Sequence, residues 1–153
     1  IAQAFRKYGD GDRQKLAYIL ATARHESRFE PKKEYRESQF SPRRANQDRY
    51  WLTGYYGRGF VQLTWESNYK KMSEFIGVDL VGDPDKALNP TYAARILVYG
   101  MIEGKFGIKK PLSYYINNGT ADYINARRTV NGTDKAALIA DYAIEIEKEL
   151  NKW

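Results

Sequence analysis

Apolar residues return every three or four positions along most of this chain, and a period of that kind commits it to helices that bury one face against each other. Between Asp12 and Ser27 the face is Leu16, Ile19, Leu20 and Ala23, and Asp10 or Asp12 stands where an N-cap is needed. Thr64 is placed to cap a second helix, in which Tyr69, Met72, Phe75 and Ile76 share a side and Gly77 ends the run. Asn89-Pro90 has the form of an N-cap followed by proline at the first helical position, opening a helix through Ala93, Ile96, Leu97 and Met101 to Gly104. Pro111 opens a short helix that stops near Asn118-Gly119, and Ala121 to Val130 forms another, ended by Asn131-Gly132. In the last helix Asp134 caps, and Leu138, Ile139, Tyr142, Ile146 and Leu150 make the buried stripe.

Two stretches break the period. Residues 29 to 51 hold Pro31, Pro42 and many charges but no apolar repeat, which predicts a long structured loop, and such loops in compact domains usually serve function. Residues 53 to 63 combine three glycines with aromatic and branched residues, which predicts a short hairpin or extended segment. There is no internal repeat, low-complexity tract or linker, so the 153 residues read as one mainly helical domain over 1–153 with at most a short β-hairpin. A chain of this length hides roughly 70% of its extended surface and needs no covalent staples.

Composition then closes off several chemistries. With no cysteine there is no disulfide, no thiolate zinc site and no cysteine nucleophile, and one histidine, His25, excludes a His-rich metal site. No cofactor and no metal are expected. No apolar run approaches the roughly 20 residues that span a bilayer, so no membrane insertion is expected. The chain starts at Ile1 without a signal-peptide pattern, which reads as a trimmed segment of a protein made in the cytoplasm. Lys and Arg outnumber Asp and Glu by 25 to 19, a net charge of +6, which suits a polyanionic partner: nucleic acid, anionic lipid or bacterial wall. The basic residues are scattered rather than striped along one helix, which argues against nucleic acid.

Glu26 is the first candidate for chemistry. It falls beside Ile19, Thr22 and Ala23, at the edge of the apolar stripe near the helix end. Partial desolvation favours the neutral form of a carboxyl, and a general acid for glycosidic cleavage must hold a proton. Pairing with Arg24 or Arg28 at a frayed helix end is the plainer alternative. A second carboxylate must come from Glu30, Glu34 or Glu37, which periodicity cannot rank. The segment 55–69, YYGRGFVQLTWESNY, is more specific. Its glycines let backbone approach a ligand closely. Gln62, Thr64 and Asn68 offer neutral hydrogen-bonding groups, while Tyr55, Tyr56, Phe60, Trp65 and Tyr69 offer flat faces for sugar rings, with Phe60 and Tyr69 assigned to the core.

These residues carry a resemblance. His25-Glu26 near a helix end, then Tyr55-Tyr56-Gly57-Arg58-Gly59-Phe60-Val61-Gln62-Leu63-Thr64 and Asn68-Tyr69, resemble glycoside hydrolase family 19, which contains plant-type chitinases and many bacterial and phage wall lysins. Gly77-Val78-Asp79-Leu80, Asp83-Pro84, Asn89-Pro90 and Val130-Asn131-Gly132 match in the same order, so the resemblance spans about residues 15 to 145. It implies a lysozyme-like, two-lobed helical domain with a central cleft. It implies Glu26 as general acid, Glu34 as second carboxylate with Glu37 open, and Thr64 as a holder of the catalytic water. His25, Tyr56, Arg58, Gln62, Trp65, Asn68 and Asn131 match binding or orienting positions, Arg58 being the most structural of them.

The departures favour the small bacterial and phage endolysin branch. The Asp-Arg pair that plant members carry on the last helix, its Arg near the acid, is here Asp141-Tyr142, leaving Arg127 or Arg128 as substitutes. Plant disulfides are absent, and the chain is too short for several plant loops or a wall-anchoring module. The implied reaction is inverting hydrolysis of β-1,4 bonds between N-acetylated sugars, with carboxyls about 6.5 to 9.5 Å apart. Peptidoglycan is the preferred substrate and chitin the second, acted on by a monomer in the periplasm or outside the cell. A non-catalytic sugar-binding module and a lytic transglycosylase are the rival readings.

Overall fold

The computed structural model describes residues 1–107 and 109–152. Its helices are α1 (Ala2–Tyr8), α2 (Arg13–Ser27), α3 (Arg44–Trp51), α4 (Glu66–Ile76), α5 (Pro90–Glu103) and α6 (Ala136–Leu150), joined in part by 3-10 turns at Pro84–Leu88, Leu112–Tyr114 and Asn125–Thr129. Strand pairing is minor. β1 (Lys32–Lys33) runs antiparallel to β2 (Arg58–Gly59), with Lys32 opposite Gly59, and β3 (Ile116–Asn117) runs antiparallel to β4 (Thr120–Ala121). The mainly helical class that the period predicts is the class observed.

Asn89 caps α5 as expected, and of the alternatives Asp10 and Asp12 it is Asp12 that caps α2. The Asp12 carboxylate accepts from the Gln14 and Lys15 amides at 2.9 and 3.3 Å, and the Asn89 side chain accepts from Thr91 and Tyr92 at 2.9 and 3.4 Å. Gly77 and Gly104 end α4 and α5 in the left-handed region.

Helix α5 organises the interior. Its Ala93, Ala94, Leu97, Val98 and Met101 pack into one core with Tyr18, Ile19 and Ala23 of α2 and Ile139, Ala140 and Ala143 of α6. From its other side Ile96 enters a second, smaller core with Leu63, Tyr69, Met72, Ile76, Leu80 and Ala87. A helix buried on two faces must be apolar nearly all round, and α5 is. The segment 58–63 is stitched between the cores, Phe60 and Val61 facing the first and Leu63 the second. The assignment of Phe60 and Tyr69 to the core holds, at 6% and 0% exposure.

Elsewhere the structure corrects the sequence reading. Residues 29 to 51 are not all loop, because α3 occupies Arg44–Trp51; its buried side is only Gln47 and Tyr50, too little to set an apolar period. The extended segment at 53–63 pairs with Lys32–Lys33, so the preceding loop supplies the partner strand. Ile116 to Ala121, placed in or between helices by the sequence, is a hairpin whose two-residue turn, Asn118-Gly119, has positive φ at both positions (50° and 80°). The helix expected over 121–130 is only the 3-10 turn Asn125–Thr129. Thr64 and Asp134 are not caps: Trp65 and Lys135 hold those positions without side-chain bonds. On α6 the buried residues are Ala136, Ile139, Ala140 and Ala143, while Leu138 is exposed. Helix α1, whose Phe5 joins the first core, lies outside the segments that the period marked.

Candidate active site

Helix α2 presents Glu26 one residue before its end, where the stripe of Ile19 and Ala23 meets the surface. Its carboxylate Oε1 lies 2.5 Å from Nη1 of Arg127, and the two side chains are 23% and 2% exposed. Arg127 comes from the 3-10 turn Asn125–Thr129, and its Nε donates to the Asp134 carbonyl at 2.9 Å, which fixes the guanidinium between the turn and the start of α6. Of the two substitutes proposed for the missing family arginine, Arg127 is therefore the one beside Glu26. Neither Arg24 nor Arg28 takes that place: Arg24 pairs with Glu145 at 3.4 Å and lies 4.0 Å above the Tyr142 ring. Tyr18 lies close by, stacked on Tyr123, and burial pushes its hydroxyl's pKa well up, so it stays a neutral phenol.

Glu34 is held by three donors. Its Oε1 accepts from the Tyr50 hydroxyl at 2.6 Å and from Gln47 Nε2 at 3.1 Å, and its Oε2 accepts from the Gly57 amide at 2.8 Å. The Glu34 amide in turn donates to the Gly57 carbonyl at 2.8 Å, continuing the β1–β2 pairing by one register position. Helix α3 exists at this point to present Gln47 and Tyr50 three residues apart on its inner face. Gln47, 2% exposed, uses both ends of its amide: Oε1 accepts from Glu37 N and Arg36 Nη1, and Nε2 also donates to the Tyr35 carbonyl. Burial, and then the bond to Glu34, raise the Tyr50 pKa, so Tyr50 remains a donor. Gln47 and Tyr50 carry no signal in the sequence except their i, i+3 spacing, legible only once α3 is known to be a helix.

A groove of about 520 Å³ is lined by Glu34, Glu37, Pro42, Arg43, Asn46, Gln47, Tyr50, Gln62 and Thr64. Glu34 and Glu37 thus share one groove, but only Glu34 has its carboxylate fixed; Glu37 contributes its backbone to Gln47 and Arg44. Gln62 donates to the Lys32 carbonyl at 3.2 Å, and Gly57 backs onto it so closely that a Cβ there would lie 2.3 Å from Gln62 Oε1. Thr64 Oγ1 donates to the Gln62 carbonyl at 3.3 Å, and Asn68 Nδ2 donates to the Thr64 carbonyl at 2.9 Å, so Asn68 braces the strip that carries Thr64. Trp65 follows with φ 76° and ψ 137°, a region that costs a non-glycine residue about 1–3 kcal/mol. It is anchored there by the hydrogen bond that its amide donates to the Tyr55 carbonyl, with its ring edge-on to Tyr50 and 41% exposed.

Neither Glu26 nor the remaining candidates are among the residues that line this groove. Arg58 is 5% exposed and spends its donors on Asp85 (2.9 Å), the Gly54 carbonyl (2.8 Å) and the Tyr69 hydroxyl (3.0 Å), the bonds of a structural pin. It also lies 4.1 Å from the face of the Tyr56 ring, whose other stacking partner is Trp51. His25 is half-buried in the last turn of α2. Asn131 is exposed, and its side chain accepts from the Gly132 amide at 2.8 Å. Among the described residues no group of three or more His, Asp or Glu side chains could hold a metal, and no helix is long and apolar enough to cross a membrane.

A family model described as chitinase class I matches residues 21–103, the stretch that holds Glu26, Glu34, Gln62, Thr64 and Asn68. The chain belongs to glycoside hydrolase family 19. It is 35% identical over 101 residues to an endochitinase of Arabidopsis thaliana, covering 64% of this chain and 36% of the relative. A second Arabidopsis thaliana endochitinase is 39% identical over 90 residues, 55% of this chain and 30% of its own. Chitinase 8 of Oryza sativa subsp. japonica is 58% identical over a 31-residue segment, 20% of this chain and 12% of the rice protein. The chain therefore spans about a third or less of these family 19 relatives. Arg127 and Asn131 fall outside the matched family segment.

Proposed function

We propose that this chain hydrolyses β-1,4 bonds between N-acetylated sugars, with Glu26 as general acid and Glu34 as general base. The observation that carries the reading is the fixing of Glu34: three neutral donors aim one carboxylate into a groove that Gln62 and Thr64 also line. Neutral donors hold a carboxylate in place without cancelling its charge, which is what activating a water requires. Thr64, which lines the same groove, supplies in this reading the hydroxyl that positions that water. Oε1 of Glu26 is taken by Arg127, so in this reading the proton passes to the leaving group from Oε2. This reading puts the acid and the base on opposite sides of the bond, which inverts the product anomer.

The substrate we propose is peptidoglycan, cleaved by a monomer acting at the wall, as in the small bacterial and phage lysins. A net charge of +6 draws the protein to an anionic polymer, and the attraction weakens in salt. Chitin is the second reading, favoured by relatives named as endochitinases. The purified chain is applied to chloroform-treated Gram-negative cells and to chitin, and new ends are read by mass spectrometry. Reducing ends support hydrolysis, and anhydro ends would assign a transglycosylase instead. Glu26→Gln is expected to lose at least about a hundredfold in rate, the contribution of a positioned acid, and activity within about tenfold of the native chain removes Glu26 from that role.

A further inference from the structure

The 3-10 turn that supplies Arg127 to Glu26 has an outer side, and there it builds a second groove that the proposed reaction does not use. About 390 Å³ in volume, it is lined by Lys110, Tyr114, Tyr115, Asp122, Asn125 and Arg128. That volume lies within the roughly 300–1,000 Å³ of small-molecule sites. Tyr114 and Tyr115 meet edge to face at 5.1 Å, and Tyr114 is 63% exposed, so its ring is not core packing. Lys110 Nζ sits 3.7 Å from the Tyr114 ring centre. The acid in the groove is already committed: Asp122 accepts from the Asn125 amide at 3.0 Å and from Asn125 Nδ2 at 2.8 Å, bonds that keep it ionised. Arg128 gives only its Nε, at 3.2 Å to Asn125 Oδ1, and among the described residues no carboxylate is paired with Lys110 or Arg128. Lys110 covers one face of the Tyr114 ring and leaves the rest of it exposed, and a partly open aromatic ring beside two cations without a carboxylate partner is a combination that selects a sugar ring bearing an anion.

We propose that this groove is a binding site for the carboxylate-bearing branch of an N-acetylated sugar, its ring against Tyr114 and its carboxylate toward Lys110 and Arg128. The proposal rests on the hydrolase reading for its substrate and names what would separate peptidoglycan from chitin, since chitin carries no carboxylate. Arg128 follows Arg127 on the same 3-10 turn and faces its outer side.

Binding is measured by calorimetry and amide chemical shifts on the full chain carrying Glu26→Gln, which cannot consume the ligand. The probes are chitobiose, the N-acetylglucosaminyl–N-acetylmuramic acid disaccharide, and that disaccharide with L-alanyl-D-glutamate on its lactyl group. At least one acidic probe is expected to bind about tenfold more tightly than chitobiose, the worth of one charge-assisted hydrogen bond. Comparing the two acidic probes shows whether the sugar's own carboxylate or the peptide's is held. Lys110→Gln with Arg128→Gln should erase that preference while leaving chitobiose affinity unchanged, and Tyr114→Ala should weaken all three. Equal affinity for neutral and acidic probes, or a preference that survives loss of both cations, overturns the site. Should the native chain cleave no glycan while the acidic preference persists, the hydrolase reading falls and the groove stands. Should it cleave peptidoglycan without the preference, the reverse holds.

Discussion

Arg127 is the residue whose loss should be felt most widely. Arg127→Met keeps the length and apolar stem of the side chain but removes the guanidinium, leaving the Glu26 carboxylate unpaired at the edge of the first core. Removing one partner of a buried ion pair costs about 3–5 kcal/mol, because the other charge stays behind without compensation. Glu26 retains 23% exposure and so some access to water, which places the cost near the lower end, about 3 kcal/mol. For a chain of this size each kcal/mol moves the melting temperature by about 2–4 °C, so the midpoint should fall by about 6–12 °C. The Nε bond to the Asp134 carbonyl is lost in the same variant, so a single melting curve does not isolate the pair. Urea unfolding of Arg127→Met, of Glu26→Gln and of the double variant does. If the two side chains stabilise each other, the double variant should be more stable than the sum of the single losses implies, by about 2 kcal/mol. Additivity within about 0.5 kcal/mol would refute the pairing, since independent sites add to within that margin. Arg127→Lys should recover only part of the loss, because an ammonium cannot serve Glu26 and the Asp134 carbonyl from one planar fork.

Three further outcomes follow from named contacts. Tyr50→Phe removes the 2.6 Å donor to Glu34 and should lower kcat/KM by about tenfold to a hundredfold, the worth of a hydrogen bond to a charged group; an unchanged value would mean that Gln47 and Gly57 alone position the carboxylate. Gly57→Ala places a Cβ 2.3 Å from Gln62 Oε1 and should push that side chain out of the groove, raising KM more than it lowers kcat, while an unaltered KM would remove Gln62 from substrate contact. Asp122 is held below its ordinary value of 3.8, first by the Asn125 amide and then by the Asn125 side chain. A folded pKa that is depressed gives stability present above the unfolded value and lost as pH falls through the folded one, so its window lies below about 3.8. Asp122→Asn should flatten the acid limb of a stability-against-pH curve, and identical limbs would show that the turn does not depend on the charge.

What the sequence made legible follows the strength of its local signals. Asn89-Pro90 and one of the pair Asp10 and Asp12 declare helix starts by chemistry that acts within three residues, and Asn89 and Asp12 are the caps found. Asp134 and Thr64 have the same chemistry but lose to neighbours: Lys135 and Trp65 take those positions in unusual backbone conformations that propensity alone does not favour. Glu26 could be placed at the edge of an apolar stripe because α2 is periodic, but its partner could not be chosen between Arg127 and Arg128, since a 3-10 turn rotates one inward and the other outward within a single residue step. Helix α3 was illegible for a different reason. Its two buried residues are a glutamine and a tyrosine, whose burial answers to the hydrogen bonds of Glu34 and not to an apolar face.

That difference separates the two proposed catalytic groups. Glu34 is held by residues 47 to 57, close in sequence and electrically neutral. Glu26 is held by one cation from the far end of the chain, on a turn that must stay docked on α2 and α6 for the pair to exist. The first arrangement survives any loosening of the C-terminal region; the second does not. Partial unfolding that frees the turn Asn125–Thr129 should therefore abolish catalysis while Glu34, Gln62 and Thr64 keep their geometry. Hydrogen exchange at the Arg127–Asn131 amides, followed beside activity through a mild urea series, is the measurement. Loss of activity in step with that exchange, ahead of global unfolding, is the expected result; activity persisting after those amides open would show that Glu26 acts without Arg127.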